Sequence, residues 1–254
     1  TMEYFNTINS EKQQLKDIVL YDKKYKITNF VQTYINIDNI VSESKKSYLK
    51  YNKFNYNFYN DEECRNFIKT NFNIDVLNTY DKIIPGAFKA DLFRYCYLFK
   101  KGGIYSDIDT ICLDNLDKLI NTNYDIVLVK ERTNIPGIFQ AFIISKPGQK
   151  LFMNAINKII YNVKNNYYGE KNQNKITNIL SITGPVLLGN VLCNMLNIPE
   201  FTINNKYHTD IILNNCYIKI IDFTNDGFIT FDDIKLIKVK NNNYKPNDDY
   251  KELF

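Results

Sequence analysis

Two acids one residue apart, Asp107 and Asp109, follow the run Gly103-Ile104-Tyr105-Ser106. In an extended strand the alternation of side chains places Tyr105, Asp107 and Asp109 on one face and Ile104, Ser106 and Ile108 on the other. If the strand ends near Asp107, Asp109 turns outward into the crevice at the carboxyl edge of the sheet, where open α/β folds bind ligands. Two hard carboxylates there suit a divalent cation that phosphate oxygens also hold. Such a cation neutralises charge on a diphosphate leaving group, a Lewis-acid role. An isolated Asp-x-Asp is common in proteins of this size, so its neighbours matter. Asp91 and Arg94 lie three apart, adjacent on one helical face, within an otherwise apolar segment. They are either a surface stripe or a paired, partly buried couple. On the second reading Asp91 accepts hydrogen bonds from sugar hydroxyls, and Arg94 supports it and the nearby diphosphate.

Those four residues need a helix and a strand to position them, and the surrounding pattern supplies both. Phe88, Leu92, Tyr95/Cys96 and Phe99 recur at helical spacing, with Pro85 in the first turn and Gly102-Gly103 at the end. Lys26 to Asn36 reads as a first strand, and Phe54, Tyr56 and Phe58 alternate with asparagines as a second. Asp61 is placed to cap a following helix. Strands are expected at 125–129 and 138–145, and helices at 42–51, 150–163 and 184–196. Short strands and hairpins follow from Cys216, and the polar opening segment to Lys26 reads as a short helix or arm. Alternating strands and helices argue for an α/β fold with a mixed, mainly parallel sheet.

The run Ala87-Phe88-Lys89-Ala90-Asp91-Leu92-Phe93-Arg94-Tyr95, then Leu98, then Gly102-Gly103-Ile104-Tyr105-Ser106-Asp107-Ile108-Asp109, resembles the signature of glycosyltransferase family 32. Phe30 to Tyr34 resembles that family's first-strand motif, Asn55 to Asp61 its second strand, and Thr183-Gly184-Pro185 a later loop. The resemblance covers roughly residues 27 to 190. It implies a GT-A-type fold: a Rossmann-like mixed central sheet flanked by helices, with a small C-terminal strand and hairpin region. The chain is then one domain over 1–254, with a nucleotide-sugar-binding half at about 27–130 and an acceptor-side half at about 131–254.

The resemblance also implies a nucleotide-sugar donor, a UDP-sugar first and GDP-mannose second, Mn2+ or Mg2+, and transfer with retention of configuration. The acceptor is a glycan, glycolipid or glycoprotein. By position, Asp107 contacts ribose and donor sugar, Asp109 coordinates the metal, and Asp91 and Arg94 hold sugar and diphosphate. Tyr105 lies beside the donor, and Thr33 and Tyr34 at the base. Tyr34 stands where related toxins place a tryptophan, and Gln149 where many members have His; the usual Trp-containing C-terminal motif is missing. Two rivals share these residues: a binding module on a transferase scaffold that has lost activity, and a metal-dependent nucleotidyltransferase.

The rest of the composition narrows the field. The chain has 254 residues, 44% of them hydrophobic and 24% charged, which supports a buried core and excludes intrinsic disorder. A net charge of +4, spread along the chain, gives no footprint for nucleic acid. Apolar stretches fall well short of the ~20 residues of a spanning helix, and neither a membrane span nor a leader is expected. Five widely spaced cysteines form no CxxC pair, so they are expected reduced and buried. There are 37 asparagines but no Asn-x-Ser/Thr triplet. Both features suit the cytoplasm, a host cytoplasm if the source is viral, over a Golgi-type lumen. Oligomeric state is not legible.

His208, the only histidine, suits a third metal ligand beside Asp107 and Asp109, an acceptor base or a plain loop residue. One histidine without an elbow motif cannot build a Ser/His/Asp nucleophile. Neither GxGxxG nor a Walker A run occurs. Asp222 to Asp233 matches an EF-hand loop at several positions, but Cys216 to Ile221 ahead of it reads as strand. A hairpin turning at Asn225-Asp226-Gly227 explains the same residues.

Overall fold

The computed structural model describes residues 25–35, 39–120, 122–131, 135–170, 173–203, 209–240 and 253–254. The opening arm expected up to Lys26 lies almost wholly outside the described residues, and His208 lies outside them too. The strands are β1 (Asn29–Thr33), β2 (Asn55–Tyr59), β3 (Gly103–Ser106), β4 (Thr110–Cys112), β5 (Ile126–Lys130), β6 (Ile138–Ser145), β7 (Thr209–Leu213), β8 (Cys216–Phe223), β9 (Phe228–Phe231) and β10 (Ile234–Val239). The helices are α1 (Asn39–Tyr51), α2 (Asp61–Asn71), α3 (Ile74–Lys82), α4 (Gly86–Lys101), α5 (Asp117–Ile120), α6 (Lys150–Lys164), α7 (Lys175–Leu180) and α8 (Pro185–Met195).

The sheet runs β2-β1-β3-β6-β5-β8-β9-β10-β4, with β7 added on β8. It is mixed, as expected, but not mainly parallel. Three ladders, β1–β2, β1–β3 and β5–β8, are parallel, and six described ladders are antiparallel. The reason is the length of the connections. Parallel neighbours need a helical crossover, which α1 gives β1 and β2. From β7 onward the strands follow each other across short turns, and those turns give hairpins.

Alternation along the central strands splits the core in two. Tyr105, Ile126, Leu128 and Ile143 face one hydrophobic cluster, built with α2, α3, α4, α6 and α8. Ile104, Val127, Val129, Phe142 and Ile144 face the other, which α1 and the β9–β10–β4 layer cover. Strands buried on both faces read as the continuous apolar runs seen in β5 and β6. Among the described residues no helix is long and apolar enough to cross a membrane.

Three local expectations are corrected. The cap of α2 is Asn60 rather than Asp61: its side chain accepts from Glu63 N at 2.9 Å while Glu63 returns a bond to Asn60 N at 2.8 Å, a reciprocal capping box. Pro85 precedes α4 as its cap rather than opening the first turn. Helix α3, capped by Asn73, was not expected at all. At the other end of α4 the glycines act as read: Gly102 caps at φ +62°, and a Cβ at Gly103, φ +112°, would lie 2.6 Å from Asn29 O. That close approach lets β3 lie directly beside β1.

Candidate active site

Strands β1 and β3 are parallel neighbours, with Val31 opposite Tyr105, so Thr33-Tyr34 and Asp107 emerge side by side at one sheet edge. Beyond Ser106 the chain leaves the strand and turns through Asp107 to Asp109 before β4. This turn has its own fastening. The carbonyl of Asp107 accepts from Thr110 Oγ1 at 2.7 Å, Thr110 N at 3.3 Å and Gln32 Nε2 at 3.1 Å. Gln32 also donates to Ser44 at 2.8 Å, and the hydroxyls of Tyr48, Ser106 and Thr110 form a buried triad with contacts of 2.6–3.1 Å. A polar network in this setting fixes one conformation because every member is satisfied.

The helix side of the site is a closed circuit. Arg94, buried on α4, reaches Asp91 Oδ1 at 3.1 Å and Asp107 Oδ1 at 3.6 Å with one nitrogen. Its other terminal nitrogen donates to the carbonyl and side-chain oxygens of Gln140, both at 3.1 Å. Gln140 donates to the Tyr95 hydroxyl, and Tyr95 to the Thr183 carbonyl at 3.3 Å. Thr183 Oγ1 closes the ring on Asp91 Oδ2 at 2.7 Å. The guanidinium also lies 4.6 Å from the centre of the Tyr105 ring, whose hydroxyl donates to Asp107 Oδ1 at 2.8 Å.

Electrostatics separate the acids. Burial pushes the Asp91 carboxyl up to about 6, against the opposing pull of Arg94 and Thr183. Burial, with Asp107 beside it, also pushes Asp109 up to about 6. Burial works against charge on Arg94, but the field of Tyr105, Asp107 and Asp91 overrides it and holds the guanidinium above its ordinary value. Asp109 Oδ1 is buried and has no hydrogen-bond partner, while its carbonyl accepts from Lys240 N at 2.9 Å. An unsatisfied buried carboxylate oxygen is costly unless something else meets it.

Of the residues singled out from sequence, Asp91, Arg94, Tyr105, Asp107 and Asp109 gather at this edge. Tyr105 is fully buried and meets the site through its hydroxyl. Tyr34 stands at the mouth of the edge, 42% exposed. Thr33 spends its hydroxyl on Tyr59 O at 2.8 Å and contacts Cys64 Sγ at 3.2 Å. Gln149 is elsewhere: β3 and β6 are antiparallel with Gly103 opposite Ser145, so Gln149, just past β6, lies at the opposite edge and accepts from Cys216 Sγ at 3.1 Å. Sequence reasoning missed Gln140 in any role. Its signal was a lone amide in the apolar run Ile138 to Ser145. The Asp222–Asp233 segment forms the expected β8–β9 hairpin and no entering helix.

Residues 2–126 match the family described as a glycosyltransferase sugar-binding region containing a DXD motif. Over 193 residues the chain is 30% identical to an uncharacterized glycosyltransferase of Acanthamoeba polyphaga mimivirus, spanning 74% of this chain and 70% of that one. Over 136 residues it is 32% identical to the initiation-specific alpha-1,6-mannosyltransferase of Candida albicans, spanning 49% of this chain and 35% of the yeast protein. Among solved structures, PaToxG glycosyltransferase superposes with a TM-score of 0.50 at 16% identity, over 68% of this chain and 70% of that one. At that identity the likeness speaks to fold, a mixed α/β arrangement of GT-A type.

Proposed function

The chain belongs to the glycosyltransferases that carry a DXD-containing sugar-binding region, and we propose that it moves a sugar from a nucleotide-sugar donor to a hydroxyl of a glycan, glycolipid or glycoprotein. The proposed reaction depends on Mn2+ or Mg2+ and retains anomeric configuration. A UDP-sugar is the first donor to test. GDP-mannose is the second, supported by the mannosyl transfer in the name of the Candida relative.

The observation that carries this reading is Asp109 Oδ1, buried and unpartnered beside Asp107 at the edge where β3 ends. The donor set fits a hard divalent cation. Asp109 and Asp107 would hold it, with donor phosphate oxygens and water completing the shell, since no third His, Cys, Asp or Glu joins them among the described residues. When bound, the cation supplies Lewis-acid neutralisation of charge on the diphosphate.

The remaining work falls to side chains of this chain. Arg94 presents a fixed guanidinium toward the leaving phosphate, a charge that needs no reorientation during reaction because four residues already hold it. Asp91 accepts from donor sugar hydroxyls, its orientation set by Thr183. Tyr34 offers its ring to the base, and Thr33 shapes that subsite without a free hydroxyl. Tyr105 positions Asp107. On this reading the 27–130 half binds the donor, with Gln140 and Thr183 of the 131–254 half holding Arg94 and Asp91 in place, and the 131–254 half takes the acceptor. Among the described residues no carboxylate is assigned as a covalent nucleophile, and attack on the same face assisted by the leaving phosphate is the proposed route to retention.

The test is nucleoside diphosphate release from a panel of UDP- and GDP-sugars, with Mn2+ and with EDTA, beside Asp109→Ala. Metal-dependent release from one donor, lost in the variant, is the expected result. Activity of the variant within a few-fold of wild type would overturn the metal assignment.

A further inference from the structure

A second cavity, of about 300 Å3, opens between α6 and α8, at the small end of ligand-site volumes. It is separate from the donor edge. Ser181 lines it, whereas Thr183, two residues on, turns the other way to Asp91. The family resemblance assigns nothing there.

Its walls mix polar and apolar surface, and the polar side chains are held by one another. Asn194 donates to Glu200 Oε1 at 2.8 Å, and the Tyr167 hydroxyl donates to Glu170 Oε1 at 3.1 Å. Lys158 lies between them. Burial lowers its pKa while Glu200 and Glu170 pull it back up. Its ammonium sits 5.0 Å from the Tyr161 ring centre and 5.7 Å from that of Tyr167. Leu187 and Val191 supply an apolar floor.

This lining discriminates by charge. Two carboxylates against one ammonium disfavour a phosphate or nucleotide, whose charge would meet the acids at close range. An amine would have to compete with Lys158 for the same two acids, whose oxygens already accept from Asn194 and Tyr167. A neutral ligand bearing many hydroxyls meets neither penalty and can use donors and acceptors together. Tyr161, 44% exposed, adds an aromatic ring to this wall, and the C–H face of a sugar ring would pack beside it. Side chains already fixed by each other lose little entropy on binding such a ligand.

We propose that this cavity between α6 and α8 is a carbohydrate-binding site, distinct from the donor crevice, that takes one neutral pyranose unit. It does not depend on the reaction proposed above. A sugar bound here would anchor a glycan while the donor edge works on another part of it.

The test is ligand-observed NMR and calorimetry with methyl α-mannoside, methyl α-glucoside, methyl β-galactoside and N-acetylglucosamine, with inorganic phosphate and spermidine as comparators. The proteins are wild type, Tyr161→Ala, Glu200→Gln and Asp109→Asn. At least one saccharide should bind wild type at millimolar strength. Binding should weaken about tenfold or more, about 1.4 kcal/mol, in the first two variants and persist in Asp109→Asn. Metal-dependent donor hydrolysis should be unchanged in Tyr161→Ala and Glu200→Gln, because neither residue touches the Asp91–Arg94 circuit. No saccharide binding, tighter binding of phosphate or spermidine, or loss of saccharide binding in Asp109→Asn alone would each overturn the proposal. Donor hydrolysis tests the reaction separately, so either reading can fail without the other.

Discussion

Asp109→Asn should make the metal-free protein more stable while destroying its response to metal. The Asp109 carboxyl is pushed up to about 6 from its ordinary 3.8. At about 1.4 kcal/mol per pH unit, keeping it ionised inside the fold costs about 3 kcal/mol at pH 8. The sign follows from linkage. A carboxyl raised on folding contributes stability that is complete below its unfolded value near 4, is lost as pH climbs through 6, and stays lost above. Asparagine does not ionise, so it removes the penalty. Part of the shift comes from Asp107, and an amide makes its own demand for partners, so about 1–2 kcal/mol is the net gain to expect. For a chain this long that is roughly 2–8 °C in melting temperature. Thermal unfolding in EDTA at pH 8 should show the gain, and at pH 4.5 most of it should vanish. Adding Mn2+ should stabilise wild type by mass action and leave the variant unmoved. A variant that melts lower than wild type at pH 8, or that gains as much from Mn2+, would refute the claim that this oxygen is kept unsatisfied for a cation.

Arg94→Lys should lower turnover by about 10²-fold or more, since one ammonium cannot reach Asp91, Asp107 and both oxygens of Gln140 at once. Steady-state kinetics checks it, and a near-normal rate would make Arg94 structural. Thr183→Val removes the 2.7 Å bond to Asp91 Oδ2 and should cost about 1–3 kcal/mol. It should also push the Asp91 carboxyl higher, so the donor KM rises most below pH 7; Thr183→Ser should restore both values, and an unchanged KM across pH would count against the role of Asp91. Gly137→Ala places a Cβ 2.7 Å from the Pro185 backbone. It should destabilise by about 1–3 kcal/mol and slow turnover by displacing the start of α8, read from urea midpoints and rates together. A variant neutral in both would show that this contact has slack.

Much of the donor edge was legible because its residues lie close in sequence. The α4 periodicity, the Gly102-Gly103 stop and the acids of 107–109 span one helix–turn–strand unit, and local spacing alone orders them. What was not legible came from distant chain. Gln140 joins Arg94 only because β6 runs antiparallel to β3, an orientation that no local pattern encodes. Thr183 was marked as part of a loop, but its bond to Asp91 crosses 92 positions. The mainly parallel sheet was a misreading of the same kind, since strand direction depends on which neighbours tertiary packing selects. Helix α3 was overlooked although Asn73 as cap and Val76, Leu77 and Tyr80 at helical spacing carry its signal. Gln149, noted from the sequence only as a departure from the family pattern, lies at the other edge of the sheet, against Cys216.

The buried acids also bear on the rival in which the scaffold binds but no longer reacts. Asp91 and Asp109 are both pushed up to about 6, so each imposes a cost on folding at neutral pH. A fold freed from catalysis could relieve either cost with a single change to Asn or Ser. Arg94 limits that freedom for Asp91, because losing one member of a buried ion pair strands the other. Asp109 has no such hostage: no hydrogen bond holds its Oδ1, and its fastening to Lys240 runs through the backbone. Destabilising groups that nothing structural requires are the ones a working site retains. Asp109 is therefore a sharper witness for activity than the ion pair beside it, and the rival nucleotidyltransferase is separated from it by product alone, pyrophosphate rather than nucleoside diphosphate.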